Sequence, residues 1–180
     1  LADVKGTPVT PTLGPSEGRW DPWREFVHTY SSDWRIVTKH RLEGTIWALT
    51  SQSRKTIWIC NSLGPVEQTC SLAHELVHIE LGIWNGGGDH RTQDYTEQER
   101  VVVELTARRL IPFRSLAKVV VERPDAGLRV WAWKLNVDCP TLRDRLLTLS
   151  SVERAVLTQI RGGPLPTMPH HELYDTLRLS

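Results

Sequence analysis

His74, Glu75 and His78 stand in the run His74-Glu75-Leu76-Val77-His78, and their types and spacing describe one chemistry. On a helix, four residues advance the side chain by just over a turn, so the two histidines share a face and their imidazoles can bind a single ion. Glu75 sits about a quarter turn aside, where a carboxylate can reach a metal-activated water without ligating the metal itself. Nitrogen ligands with a neighbouring general base suit Zn2+ and the hydrolysis of an acyl bond, such as that of a peptide.

A catalytic zinc site takes three protein ligands and keeps a position for water, so a third ligand is required. The three-histidine extension of the motif needs Gly at 81 and His at 84; the chain has Leu81 and Trp84, which excludes it. Asp89, His90, Glu97, Glu99 and Glu104 are the candidates that follow. The Gly-free run from Thr96 to Ile111, stopped by Pro112, predicts a second helix with Thr96 as N-cap. Its inward stripe is Val102, Val103, Thr106 and Leu110, and Glu99 lies on that stripe one turn earlier. Glu104, with Arg100 and Arg108 four residues to either side, reads as part of a solvated ion-pair ladder. Glu99 has a plain structural explanation as well, since Thr96 and Glu99 have the spacing of a capping box. Glu99 is the preferred third ligand, with Asp89, His90 and Glu104 as alternatives.

The elements that must position these groups can be read around them. Gly64 and Pro65 stop what precedes, and no Gly or Pro follows Val66 until Gly82, so one helix carries the motif. Leu72, Leu76, Ile79 and Ile83, widened by Ala73 and Val77, make it apolar around much of its circumference, the mark of a buried helix. Upstream, Asp21 and Pro22 open a short helix to Tyr30. Strand-like runs follow at Trp34 to Lys39, Thr45 to Thr50 and Thr56 to Cys60, the last two forming a hairpin around Ser51 to Lys55. Downstream, Leu128 to Leu147 has a helix-turn-helix outline, with a turn at Asn136 to Cys139 and Pro140 opening the second helix. The expected fold class is α+β, a small antiparallel sheet packed on the helical core that bears the motif, with helix-turn-helix-like C-terminal helices. The expected division is an extended arm over 1–19, a metallopeptidase core over 20–123, a helical subdomain over 124–162 and a loosely ordered tail over 163–180.

Composition narrows the partners. Twenty-two basic against 21 acidic residues give a net charge of +1, with no global field for nucleic acid. Eight Trp read as core and cleft walls, and without a dominant positive surface no DNA contact is expected. No basic and apolar leader opens the chain and no apolar run approaches membrane-spanning length, so a cytoplasmic protein is expected. Cys60, Cys70 and Cys139 are odd in number and widely spaced, which suggests neither a disulfide framework nor a zinc knuckle; Cys70 shares the His74 face and is a minor candidate ligand. His170-His171-Glu172 only mimics the motif, since Asp175 stands where the second His would be needed.

The segment from Leu72 to His78, followed by a helix from Glu99 that ends in Ala107-Arg108-Arg109-Leu110-Ile111-Pro112, resembles the ImmA/IrrE family of small zinc metallopeptidases of bacteria and their phages. Leu135 to Leu157 is similar to a segment of the actinobacterial-type members. The resemblance covers about Trp20 to Ile160 and implies a zincin-like core with a gluzincin-like site: His74, His78 and Glu99 as ligands of Zn2+, Glu75 as catalytic base. It also implies a protein substrate, a helix-turn-helix transcriptional repressor whose cleavage releases prophage or stress genes. One departure is Val101-Val102-Val103, where the family has small or polar residues after the ligand Glu. His90 and Tyr95 are candidates for stabilising the oxyanion. The alternative is a zinc-containing regulatory module that antagonises a repressor by association, without cleaving it.

Overall fold

The computed structural model describes residues 19–38, 42, 46–83 and 93–166. The arm before residue 19, the tail from 167 onward and the candidates Asp89 and His90 lie outside them, as does the side chain of Tyr95. Helix α1 spans Pro22–Glu25, with the Asp21 carboxylate accepting from the amides of Trp23 and Arg24 at 3.0 and 3.2 Å. It continues as a wider, π-helical turn over Phe26–Tyr30, in which the Ser31 amide reaches back five residues to the Phe26 carbonyl.

Three short strands follow: β1 (Arg35–Val37), β2 (Ala48–Ser51) and β3 (Thr56–Ile59). β2 and β3 form the expected hairpin, with Ala48 opposite Ile59 and Ser51 opposite Thr56. The sheet is nevertheless mixed, ordered β1-β3-β2, because β1 pairs in parallel with β3. The hairpin places β2 on one edge of β3, and β1 takes the other. Arg35 fixes that register, its backbone amide bonding to the Lys55 carbonyl and its Nε to the Thr56 hydroxyl at 2.9 Å.

Helix α2 (Pro65–Leu81) carries the motif and ends as its composition requires, with Gly82 at a φ of 65° turning the chain back on itself. It is buried on two sides. Leu72 and Leu76 pack against Ile57 and Ile59 of the sheet, with Phe26 and Trp34 completing that cluster. Cys70 and Ala73 face a second cluster built from the C-terminal helices. Those helices are α4 (Phe113–Glu122), α5 (Leu128–Leu135), α6 (Cys139–Leu147) and α7 (Ser151–Arg161), all following α3 (Gln93–Leu110). α3 starts at Gln93, so Thr96 lies inside the helix and is not its cap. The capping-box explanation for Glu99 therefore falls. The helix-turn-helix outline is present, with Asn136 in the left-handed conformation and the Asp138 carboxylate capping α6 through the Thr141 amide at 2.7 Å.

Arg145 of α6 points inward and is only 1% exposed. Its Nε donates to the Ile111 carbonyl at 3.0 Å and its Nη2 to Glu153 of α7 at 2.5 Å. Glu153 also closes a capping box with Ser150. One ion pair thus ties the end of α3, α6 and the start of α7 together. The bond from Arg145 holds the Glu153 carboxyl down at about 2, below the 4.5 of a free glutamate. A depressed carboxyl stabilises the fold above its unfolded pKa and loses that contribution as pH falls through the folded value. Glu153→Gln should therefore destabilise the protein by about 3 kcal/mol at neutral pH, since it leaves a buried guanidinium unpaired. Thermal unfolding of the two proteins should converge as pH is lowered from 5 toward 2.

Candidate metal centre

The two histidines of α2 meet one carboxylate of α3. His74 Nε2 lies 3.0 Å from Glu99 Oε1 and His78 Nε2 lies 3.3 Å from Glu99 Oε2. The two Nε2 atoms are 3.0 Å apart. Among the described residues His74, His78 and Glu99 form a group able to hold one metal ion, with ligand atoms all within 4.8 Å of one another. His78 is almost fully enclosed, whereas the side chains of His74 and Glu99 are 27% and 29% exposed, and His74 opens onto a cleft.

The donor set fits a cation. His78 Nδ1 lies 3.2 Å from the Ile83 carbonyl, which can only accept, so the proton sits on Nδ1 and Nε2 presents its lone pair to the centre. The reversal of the chain at Gly82 brings that carbonyl back over the histidine. Glu99 Oε2 is buried without a hydrogen bond; its 3.3 Å approach to His78 lacks donor geometry. Two lone pairs and a carboxylate oxygen facing a common point need a positive charge between them. Burial alone would lower the His74 imidazolium, but its bond to Glu99 and the charges of Glu75, Glu99 and Asp144 outweigh that and raise it. Burial alone would raise Glu99, but its bond to His74 and the charges of the two histidines hold it well below the usual carboxylate range.

Glu75, 7% exposed, lines with His74 a cleft of about 310 Å³. Ile46 to Ala48, at the start of edge strand β2, form one rim. α3 and α6 supply the remaining walls. Glu104 is outside the cluster and pairs with Arg108 at 2.9 Å and Arg100 at 3.5 Å, the ladder its spacing suggested. Cys70 also lines the cleft but is not among the converging ligand atoms; burial and the Asp138 charge push its thiol up to about 12. Four cleft residues carry no motif signal: Ser71, Thr106, Asp138 and Asp144. Thr106 stood on the inward stripe of α3, and Asp138 two places before Pro140 has the pattern of an N-cap, but neither pattern marks a cleft.

Glu99→Ala should abolish stoichiometric zinc binding, measured by metal analysis after dialysis, while Glu104→Ala should leave it intact. Zinc retained by Glu99→Ala would transfer the third ligand to Asp89 or His90.

Residues 32–147 match the family model described as IrrE N-terminal-like domain, of the peptidase M78 type. No curated protein and no solved structure matches the chain. The matched span begins just before β1 and ends with α6, so it contains the sheet, both helices of the candidate centre and every wall of the cleft. It covers more than half of the chain, which therefore belongs to the IrrE N-terminal-like domain family and carries a zinc-metallopeptidase-like domain.

Proposed function

We propose that the protein is a zinc-dependent endopeptidase that cuts a protein substrate, a transcriptional repressor controlling prophage or stress genes. The observation that carries this reading is the convergence of His74, His78 and Glu99 beside Glu75 at the mouth of an open cleft. The three converging residues are the ligands, and Glu75 is the general base. Zinc held there would acidify a water and polarise the scissile carbonyl. Glu75, on the same helix and lining the same cleft, accepts the proton from water and returns it to the leaving amine. His74 and His78 are held in place by a helix packed on two sides, so the centre needs little reorganisation.

The rim favours an extended peptide. Among the described residues β2 pairs only with β3, so its other edge is available for a substrate strand held by backbone hydrogen bonds. The helix-turn-helix outline of α5 and α6 does not support a DNA-binding role. Arg145 is buried on Glu153, and Arg143 is folded onto Asp144 at 2.8 Å. No described helix is long and apolar enough to cross a membrane, and a repressor substrate requires a cytoplasmic site of action.

Glu75→Gln should keep zinc and lose cleavage of the repressor encoded beside the gene, read as fragments on a gel. Chelator should abolish the fragments made by the wild type. An intact complex with the repressor under both conditions, and no fragments, would favour antagonism by association. On binding the inactive variant, a substrate should slow hydrogen exchange in β2; unchanged exchange there would remove the strand-addition step.

A further inference from the structure

The cleft extends past the metal centre. One helical turn before His74, α2 turns Ser71 into it; beyond Glu99, α3 contributes Val103 and Thr106; and α6 contributes Asp138 at its cap and Asp144 nearly two turns later. Trp47 forms part of the opposite wall.

Two features of this inner part are unusual together. The hydroxyls of Ser71 and Thr106 are buried and have no hydrogen-bond partner, in residues 7% and 5% exposed. A helical Ser or Thr ordinarily satisfies its hydroxyl on the carbonyl one turn back, so two free ones in a single cavity require another partner. The same cavity is lined by Asp138 and Asp144, and among the described residues no Lys or Arg lines it. Asp138 accepts from the Thr141 amide and from the side chains of Thr141 and Cys70, and Asp144 meets Arg143 through one oxygen, Oδ1. Burial raises both carboxyls despite those bonds. The interior is thus rich in acceptors and poor in donors, behind a partly apolar entrance. The whole cleft, the part lined by His74 and Glu75 included, has a volume of about 310 Å³, at the lower end for ligand sites, so the part beyond the metal centre has room for a single side chain.

We propose that this cavity is the specificity pocket of the peptidase and takes a lysine or arginine side chain next to the scissile bond. The methylene stem lies against Trp47 and Val103. The cationic head donates to Asp144 and to the otherwise unpartnered hydroxyls of Ser71 and Thr106, with the Asp138 carboxylate lining the same cavity. The chemistry selects a cation over an uncharged chain of equal length, since only the cation satisfies the buried acceptors. This inference rests on the peptidase reading.

The test uses the zinc-loaded protein and short peptide hydroxamates that differ only in the side chain beside the zinc-binding group: lysine, arginine, norleucine or glutamate. Calorimetric titration should show lysine and arginine binding roughly tenfold or more tightly than norleucine, the scale of one charge-assisted hydrogen bond. Asp144→Asn should reduce that preference with norleucine affinity and zinc content unchanged. Thr106→Val, which replaces the hydroxyl with a methyl of similar size, should do the same. Norleucine binding as tightly as lysine, or a preference that persists in both variants, overturns the pocket and leaves the peptidase reading standing. Bound zinc with no affinity for any of the hydroxamates overturns both.

Discussion

Two imidazoles that turn their Nε2 atoms toward one another, with a carboxylate set against both, do not assemble of their own accord. At 3.0 Å between the two Nε2 atoms, the arrangement exists because α2 and α3 are held in contact and the side chains have nowhere else to point. The work of holding falls on α2. Its Leu72 and Leu76 are locked to the sheet, and its Cys70 and Ala73 to the C-terminal helices, so rotation in either direction would expose one apolar face. The histidines occupy the sector that remains.

The position of α3 is secured from a distance. Its last residue, Leu110, and the adjoining Ile111 are buried in the C-terminal cluster, and the Ile111 carbonyl is bonded to Arg145. Arg145 is bonded in turn to Glu153, whose other role is to cap α7. The helices after residue 122 therefore restrain the element that delivers Glu99, and α6 also forms a wall of the cleft. At the surface, Arg109 of α3 meets Glu80 near the end of α2, a further tie between the two helices of the centre.

The parts of this arrangement legible in the sequence are those encoded by local periodicity. The spacing of His74 and His78 fixes a shared face as soon as a helix is granted, and Glu99 is found because it continues the stripe of Val102 and Thr106. The misreadings arise where local and distant signals compete. Thr96 and Glu99 have the spacing of a capping box, yet α3 begins at Gln93, so the pattern is overridden. The parallel pairing of β1 with β3 joins residues 21 apart, and no turn residue between them encodes it. Arg145 resembles any arginine on an amphipathic helix; its burial depends on Ile111 and Glu153, which lie 34 and 8 residues away. The inner cleft was invisible for the same reason, since its polar groups come from three helices with no common motif.

Chemistry and proposed recognition share one helix at neighbouring turns. His74 faces the centre, and Ser71 and Cys70, three and four residues earlier, face the inner cavity. Glu99 and Thr106 stand in the same relation on α3, two turns apart. A side chain that fills the inner cavity would press on the pair of helices that carry the candidate ligands, while a mismatched one would leave the hydroxyls of Ser71 and Thr106 without partners beside the centre. Binding energy drawn from a residue flanking the scissile bond can in this way be expressed in the orientation of the catalytic groups. A peptidase built so would discriminate in its rate of bond cleavage as well as in its affinity.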